Sequence, residues 1–226
     1  MLRQFRITGL VRQRLEEFNR ISMLLKAKEK TERALGTKLF LKGERCSSLK
    51  CAMIRRPYRP GQHGKRRRSV SDFARQLKEK QKIQISFGLR DRQMKELFKN
   101  IAAKKGLNAQ AILSRLESRL DNVIFRLGFA SARIAGRQFV SHGHFLVNNK
   151  KVTIPSYAMK VGDKISIKEG SRSLKIFSDL PLKLKKYEAP EWLRIDKDNL
   201  IGEIIKQPEA SDTLFDPNVV MEYYSR

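Results

Sequence analysis

The chain has 226 residues, 49 Lys and Arg against 23 Asp and Glu, and a formal net charge of +26. A charge of that size needs a polyanion, and with no apolar run of about 18 residues and no lipidation signature the partner is nucleic acid rather than membrane. Two cysteines exclude a disulfide framework, while the length allows one large or two small domains with real cores.

Residues 1–45 read as a basic N-terminal arm. Its first fifteen residues, MLRQFRITGLVRQRL, are Arg-rich and acid-free. Mitochondrial presequences share that pattern, but a basic arm lying on the partner is the preferred reading, and no secretory apolar core is present. The chain is therefore expected to stay inside a cell or organelle. A helix is predicted from Leu10 to Leu35, ended by Gly36.

Cys46–Arg68, CSSLKCAMIRRPYRPGQHGKRRR, reads as a loop. A solvated charge run is the bland reading. Here Pro57, Tyr58, Pro60, Gly61 and Gly64 interrupt the charges of Arg55, Arg56, Arg59, Lys65, Arg66, Arg67 and Arg68 with rigid and tight-turn residues, which suits a loop laid against RNA. Ser71 is placed as the cap of a helix to about Lys82. Gly88 breaks the chain, Arg90–Lys105 form another helix ended by Gly106, and Asn108 caps a third. Phe73 and Leu77, then Met94, Leu97, Phe98 and Ile101, mark faces expected in a core.

The stretch from Arg119 to Ile167 carries the most information. Leu116, Leu120, Val123, Ile124 and Leu127 recur at helical spacing, with Arg119 and Arg126 off that face, and Gly128 supplies the stop. After Ser131 as a candidate cap, a second helix sets Arg133 and Arg137 one turn apart. They are expected to project together toward adjacent phosphates while Ile134 and Phe139 or Val140 turn inward. His142-Gly143-His144 ends that helix, Phe145–Val147 reads as a strand, Asn148-Asn149 as a turn, and Lys164–Ile167 as a second strand behind the turn at Val161-Gly162-Asp163. Ser171–Lys186 is expected to be helical, packing Leu174, Ile176, Phe177 and Leu180 before Pro181. Trp192–Ile205 and Val219–Tyr224 alternate as strands do. Residues 1–187 hold 45 Lys and Arg against 14 acids, and 188–226 hold 4 against 9, so the basic body faces the polyanion and the acidic tail a protein neighbour or its own sheet.

LFLKGERC at 39–46, PGQHG at 60–64, EKQK at 79–82, RLDN at 119–122 and the terminal EYYSR together resemble the small-subunit ribosomal protein S-four family, over roughly residues 36–226. The resemblance implies an α+β fold: a helical N-terminal domain plus an S-four-type RNA-binding module of helix-loop-helix and small antiparallel sheet. The corresponding division is an arm at 1–45, a basic loop and helical domain at 46–118, the module at 119–182 and C-terminal strands at 183–226. It further implies a non-catalytic protein of the bacterial cytoplasmic or an organellar ribosome. Such a protein clamps a multi-helix junction in the five-prime domain of 16S-type rRNA, nucleates body assembly, and meets mRNA near the entry channel and an S-five-type neighbour at an interface that influences decoding. RNA-facing positions carry over to Arg119, Arg133, Arg137, Gln138, His142 and His144, and to the 60–64 turn with Gln62 and His63. Lys82 and Lys150 complete the expected set.

Three departures stand out. Many bacterial relatives carry a four-cysteine zinc site whose second pair matches Cys46 and Cys51, but the first pair falls on Glu29 and Glu32, so no metal or other cofactor is expected. The first 25 or so residues exceed the family's usual length. Gly136 stands mid-helix where alanine is usual, at a cost of about 1 kcal/mol in propensity unless the backbone closely approaches RNA there. Two other classes fit part of the pattern. Arg119-Leu120-Asp121 reproduces the RLD of pseudouridine synthases, but within an amphipathic helix and without a catalytic domain, so Asp121 is expected as a helix-surface or capping carboxylate paired with arginine. A free-standing factor carrying the same module is the other alternative.

Overall fold

The computed structural model describes residues 28–66, 69–105, 108–208 and 215–225. The helix expected over 10–35 is present from Lys28 to Leu35 (α1) and stops at Gly36, whose φ is +75°; its part before Lys28 lies outside the described residues, as does the stop at Gly106. The basic loop is less irregular than its composition suggests, because two single helical turns, Glu44–Ser47 (α2) and Ala52–Arg55 (α3), form inside it around buried Cys46 and Cys51. Burying the two thiols costs little because cysteine behaves as a small hydrophobe.

Asp72–Ser86 (α4) is capped as expected, Ser71 Oγ accepting the Ala74 N–H at 3.3 Å, and it runs one turn beyond Lys82. Asp91–Lys105 (α5) follows Gly88. Ala109–Glu117 (α6) is capped by Asn108, whose side chain accepts from Gln110 N at 2.9 Å. These helices share a core of Leu35, Leu39, Leu41, Ile83, Phe87, Met94, Phe98, Ile112 and Leu116. Fully burying such side chains is worth about 1.5–3 kcal/mol each before conformational entropy is counted.

The second core belongs to the module. Leu120–Arg126 (α7) and Arg133–Ser141 (α8) pack on a five-stranded antiparallel sheet of order β2-β1-β3-β5-β4. Its strands are Phe145–Val147 (β1), Lys150–Lys151 (β2), Lys164–Ile167 (β3), Leu193–Asp196 (β4) and Ile201–Ile204 (β5). Asn148 and Asn149 both take left-handed φ values, 49° and 63°, the geometry a two-residue hairpin turn demands. Phe145, Val147, Ile165 and Ile167 point inward from β1 and β3 onto Leu120, Val123, Ile124 and Leu127. Two glycines allow close approach: a Cβ on Gly202 would stand 2.4 Å from Leu127 Cδ1, and one on Gly136 would stand 2.8 Å from the Asp121 carbonyl oxygen. The missing side chain at 136 thus serves the close contact between α7 and α8.

Four sequence expectations are corrected. Val219–Tyr224 is not a strand but lies in a helix, Pro217–Ser225 (α12), opened by Asp216 Oδ1 accepting from Asn218 N at 2.9 Å and by Pro217 in the first turn. It packs on α4 and α6, so Phe215 and Val220 join the first core and the chain's end returns to its helical half. Ser131 caps nothing; the residue before α8 is Ala132, without a side-chain cap. Residues 169–185 form three short helices, Glu169–Arg172 (α9), Lys175–Ser178 (α10) and Leu180–Lys185 (α11), with Pro181 inside the first turn of the last. Phe177, Leu180 and Leu184 are buried there, whereas Leu174 and Ile176 are exposed, since breaks between the helices rotate them off the core face.

Candidate nucleic-acid interface

Where α6, α7 and α8 meet, two buried carboxylates and a buried amide organise four arginines. Glu117, 2 % exposed, accepts from Arg126 Nε and Nη2, both at 3.0 Å, and from Asn122 Nδ2 at 2.6 Å. Asp121 accepts from Arg119 Nε at 3.1 Å and Nη2 at 2.7 Å, and from the Asn122 backbone N–H at 2.9 Å. Arg133 donates Nε to Asn122 Oδ1 at 2.7 Å and has Nη2 3.7 Å from Glu117, while its guanidinium lies over the rings of Phe87 at 4.9 Å and Phe125 at 4.8 Å. Arg137 donates Nη1 to the Gly88 carbonyl at 2.9 Å and lies 3.9 Å from Asp121.

The expectation that Arg133 and Arg137 project together to solvent is therefore corrected. Both turn toward protein groups, and both bridge the halves of the molecule: Phe87 and Gly88 belong to the helical half, Phe125, Asn122 and Asp121 to the module. Asp121 has the arginine partner expected of it, Arg119, but is buried rather than on the helix surface. Burial pushes the Arg133 guanidinium down to about 10, so it stays protonated at neutral pH. Burial would raise the Glu117 carboxyl, but hydrogen bonds and charge from Arg126, with Arg133 and Asn122, hold it below the ordinary value. Burial also lowers Arg137, against the pull of Asp121.

Most of the other candidates face outward. Arg55, Arg56, Gln62, His63, Lys65 and Arg66 are exposed and Arg59 is half-buried; Arg67 and Arg68 lie outside the described residues. The loop is not a loose charge run. Arg33 Nε donates to the carbonyls of Arg56 and Tyr58, both at 3.0 Å, and Arg33 and Lys65 sit 5.1 and 5.4 Å from the Tyr58 ring centre. Arg59 and Lys82 both lie near Lys78, and burial, then these two charges, depress the Lys78 ammonium. Lys82 is mostly buried against Glu79. In the module Gln138, His142 and Lys150 are exposed. The His142 and His144 rings lie 5.8 Å apart, and the His144 Nδ1 is 3.0 Å from Ser171 Oγ; burial, then His142 and Lys168, lower its pKa.

The ribosomal protein S4/S9 N-terminal domain family matches residues 24–117, and the S4 domain family matches residues 118–165. A small ribosomal subunit protein uS4 from Natranaerobius thermophilus is 44% identical over 194 residues, covering 84% of this chain and 93% of the relative. The uS4 proteins of Thermus thermophilus and Magnetococcus marinus are each 46% identical across 84% of this chain, covering 93% and 92% of their own lengths. The chain belongs to the uS4 family.

Among the described residues of this uS4-family chain, no group of three or more His, Cys, Asp or Glu is arranged to hold a metal ion. Glu29 and Glu32, which the sequence resemblance set where a first cysteine pair is expected, have other work. Glu32 Oε1 accepts from the backbone N–H groups of Leu39 and Leu41 at 3.0 and 3.1 Å, and Glu29 pairs with Lys42 and Arg45. Burial raises the Cys46 thiol. Sequence reasoning missed the organising role of Glu117 and Asn122, although Glu117 and Asp121 stand four apart beside a cluster of arginines. It also missed Lys78, which only the fold brings beside Arg59.

Proposed function

We propose that this uS4-family chain is a structural, non-catalytic constituent of the small subunit of a bacterial-type cytoplasmic ribosome, binding 16S-type rRNA. The observation that carries the reading is the 44–46% identity, over 84% of the chain, to proteins named as small ribosomal subunit uS4. The geometry supports it: cations are spread over a helical half and a module that buried arginines tie together, and Asp121 is enclosed by ion pairs rather than presented to a substrate. Affinity then comes from neutralised phosphates and counterion release, and selectivity from the fixed spacing of two basic surfaces, since the deep, narrow major groove of A-form RNA excludes a helix pair.

On this reading the protein clamps converging helices of the five-prime domain, nucleates body assembly, and takes part with an S-five-type neighbour and mRNA at the entry channel in decoding accuracy. The two halves that Arg133 and Arg137 hold together present Gln138, His142, Lys150 and the 55–66 loop to rRNA. The test is sedimentation of tagged protein with intact small subunits through a high-salt cushion. Stoichiometric retention is expected of an integral component; release into the supernatant identifies a loosely bound factor instead.

A further inference from the structure

We propose that the cleft between α1, α2, α3 and the 56–61 segment is a preformed seat for a phosphodiester of the RNA backbone; the inference rests on the rRNA-binding reading above. Lys30, Arg33, Arg45, Lys50, Arg55 and Arg56 line an open cleft of about 650 Å³. Four of these six precede the Arg-rich run that the sequence singles out. Glu29 is the carboxylate in the wall, and it is engaged: its Oε1 lies 2.8 Å from Arg45 Nε and 3.3 Å from Lys42 Nζ.

Arg33 builds the seat. Its Nε bonds to the Arg56 and Tyr58 carbonyls pin the loop's main chain to α1, so the loop cations and the helix cations face one concavity. With Arg33 and Lys65 against its ring, Tyr58 acts as a strut and not as a stacking platform for a base, which makes phosphate the ligand chemistry. Cations converging from α1, α2, α3 and the links flanking α3 repel one another unless an anion sits among them, and guanidiniums from different elements grip one phosphate from several sides. Lys30, Lys50 and Arg55 are exposed and form no ion pair among the described residues, so they meet the ligand without first breaking a protein contact.

Two readouts on the full chain test this. Amine acylation followed by mass spectrometry reports Lys30 and Lys50 in free protein, with a five-prime-domain transcript of 16S-type rRNA, and with inorganic phosphate at matched ionic strength. Ethylation interference on the transcript compares wild type with the triple variant Lys30→Ala, Lys50→Ala, Arg55→Ala. The transcript is expected to protect both lysines, the variant to tolerate ethylation at a phosphate that blocks wild type, and its salt slope to flatten by about one to three units. Reactive lysines on bound transcript with an unchanged ethylation pattern overturn the seat while leaving rRNA binding intact. Protection by inorganic phosphate equal to that by the transcript makes this a site for free anions and overturns the RNA assignment. Wild-type protein that does not distinguish the transcript from unstructured RNA instead overturns the reading beneath it.

Discussion

Replacing Arg133 by alanine separates a frame residue from a phosphate ligand. In the folded protein the change leaves Asn122 Oδ1, on a residue 1 % exposed, without its 2.7 Å donor, and an unmade bond at a buried acceptor costs about 1–3 kcal/mol. It also removes the guanidinium from Phe87 and Phe125, about 0.5–1 kcal/mol for each ring. The 3.7 Å approach to Glu117 adds less. The total, about 3 kcal/mol, corresponds to a fall of roughly 6–12 °C in the melting temperature of a chain this long. Thermal unfolding followed by far-ultraviolet circular dichroism, without RNA, measures it. A midpoint unchanged from wild type, with rRNA affinity reduced, would refute the reasoning and return Arg133 to the role of an exposed phosphate contact.

Other consequences follow from the same contacts. Because the folded-state pKa of Glu117 is depressed from 4.5, its contribution is present above that value and lost as pH falls through the lower, folded value. Urea midpoints of wild type and Glu117→Gln should therefore differ at about pH 6.5 and converge only once the pH has fallen through the depressed folded value; a constant gap would show that Glu117 acts by packing alone. Val220→Ala, at a position with no exposure, should cost about 1–3 kcal/mol, because α12 is part of the helical core; a loss below about 0.5 kcal/mol would place the end of the chain outside it. Cys46 and Cys51 should stay unreactive toward Ellman's reagent in native protein and both titrate in denaturant, with the melting temperature unmoved by chelator. Prompt reaction, or destabilisation by chelator, would contradict buried, metal-free thiols.

Local signals carried much of the fold. Ser71 and Asn108 as caps, Gly36, Gly88 and Gly128 as breaks, and the Asn148-Asn149 turn are chemistry of one to four residues, which adjacent sequence specifies. What sequence concealed depends on distant partners. Arg133 and Arg137 stand one turn apart, a pattern equally suited to two phosphates or to a buried acid cluster; the choice lies with Glu117, Asp121 and Gly88, up to 49 residues away. Val219–Tyr224 is too short for periodicity to decide, although Asp216-Pro217 carried the helix-start signal that the alternation obscured. Gly136 announced a close approach but not its direction, which is toward α7. The exposed cations of the 55–66 loop were legible as a basic run, whereas Arg33, which folds that loop, lies 23 and 25 residues before the carbonyls it holds.

The most direct test is the affinity of purified full-length protein for a five-prime-domain transcript of 16S-type rRNA, against an equally long unstructured RNA, across a salt series. A basic body whose two halves are locked by buried arginines predicts that both affinities fall with salt while the preference for the folded transcript persists at physiological ionic strength. Equal binding that disappears together with rising salt would contradict it, showing charge without recognition of shape.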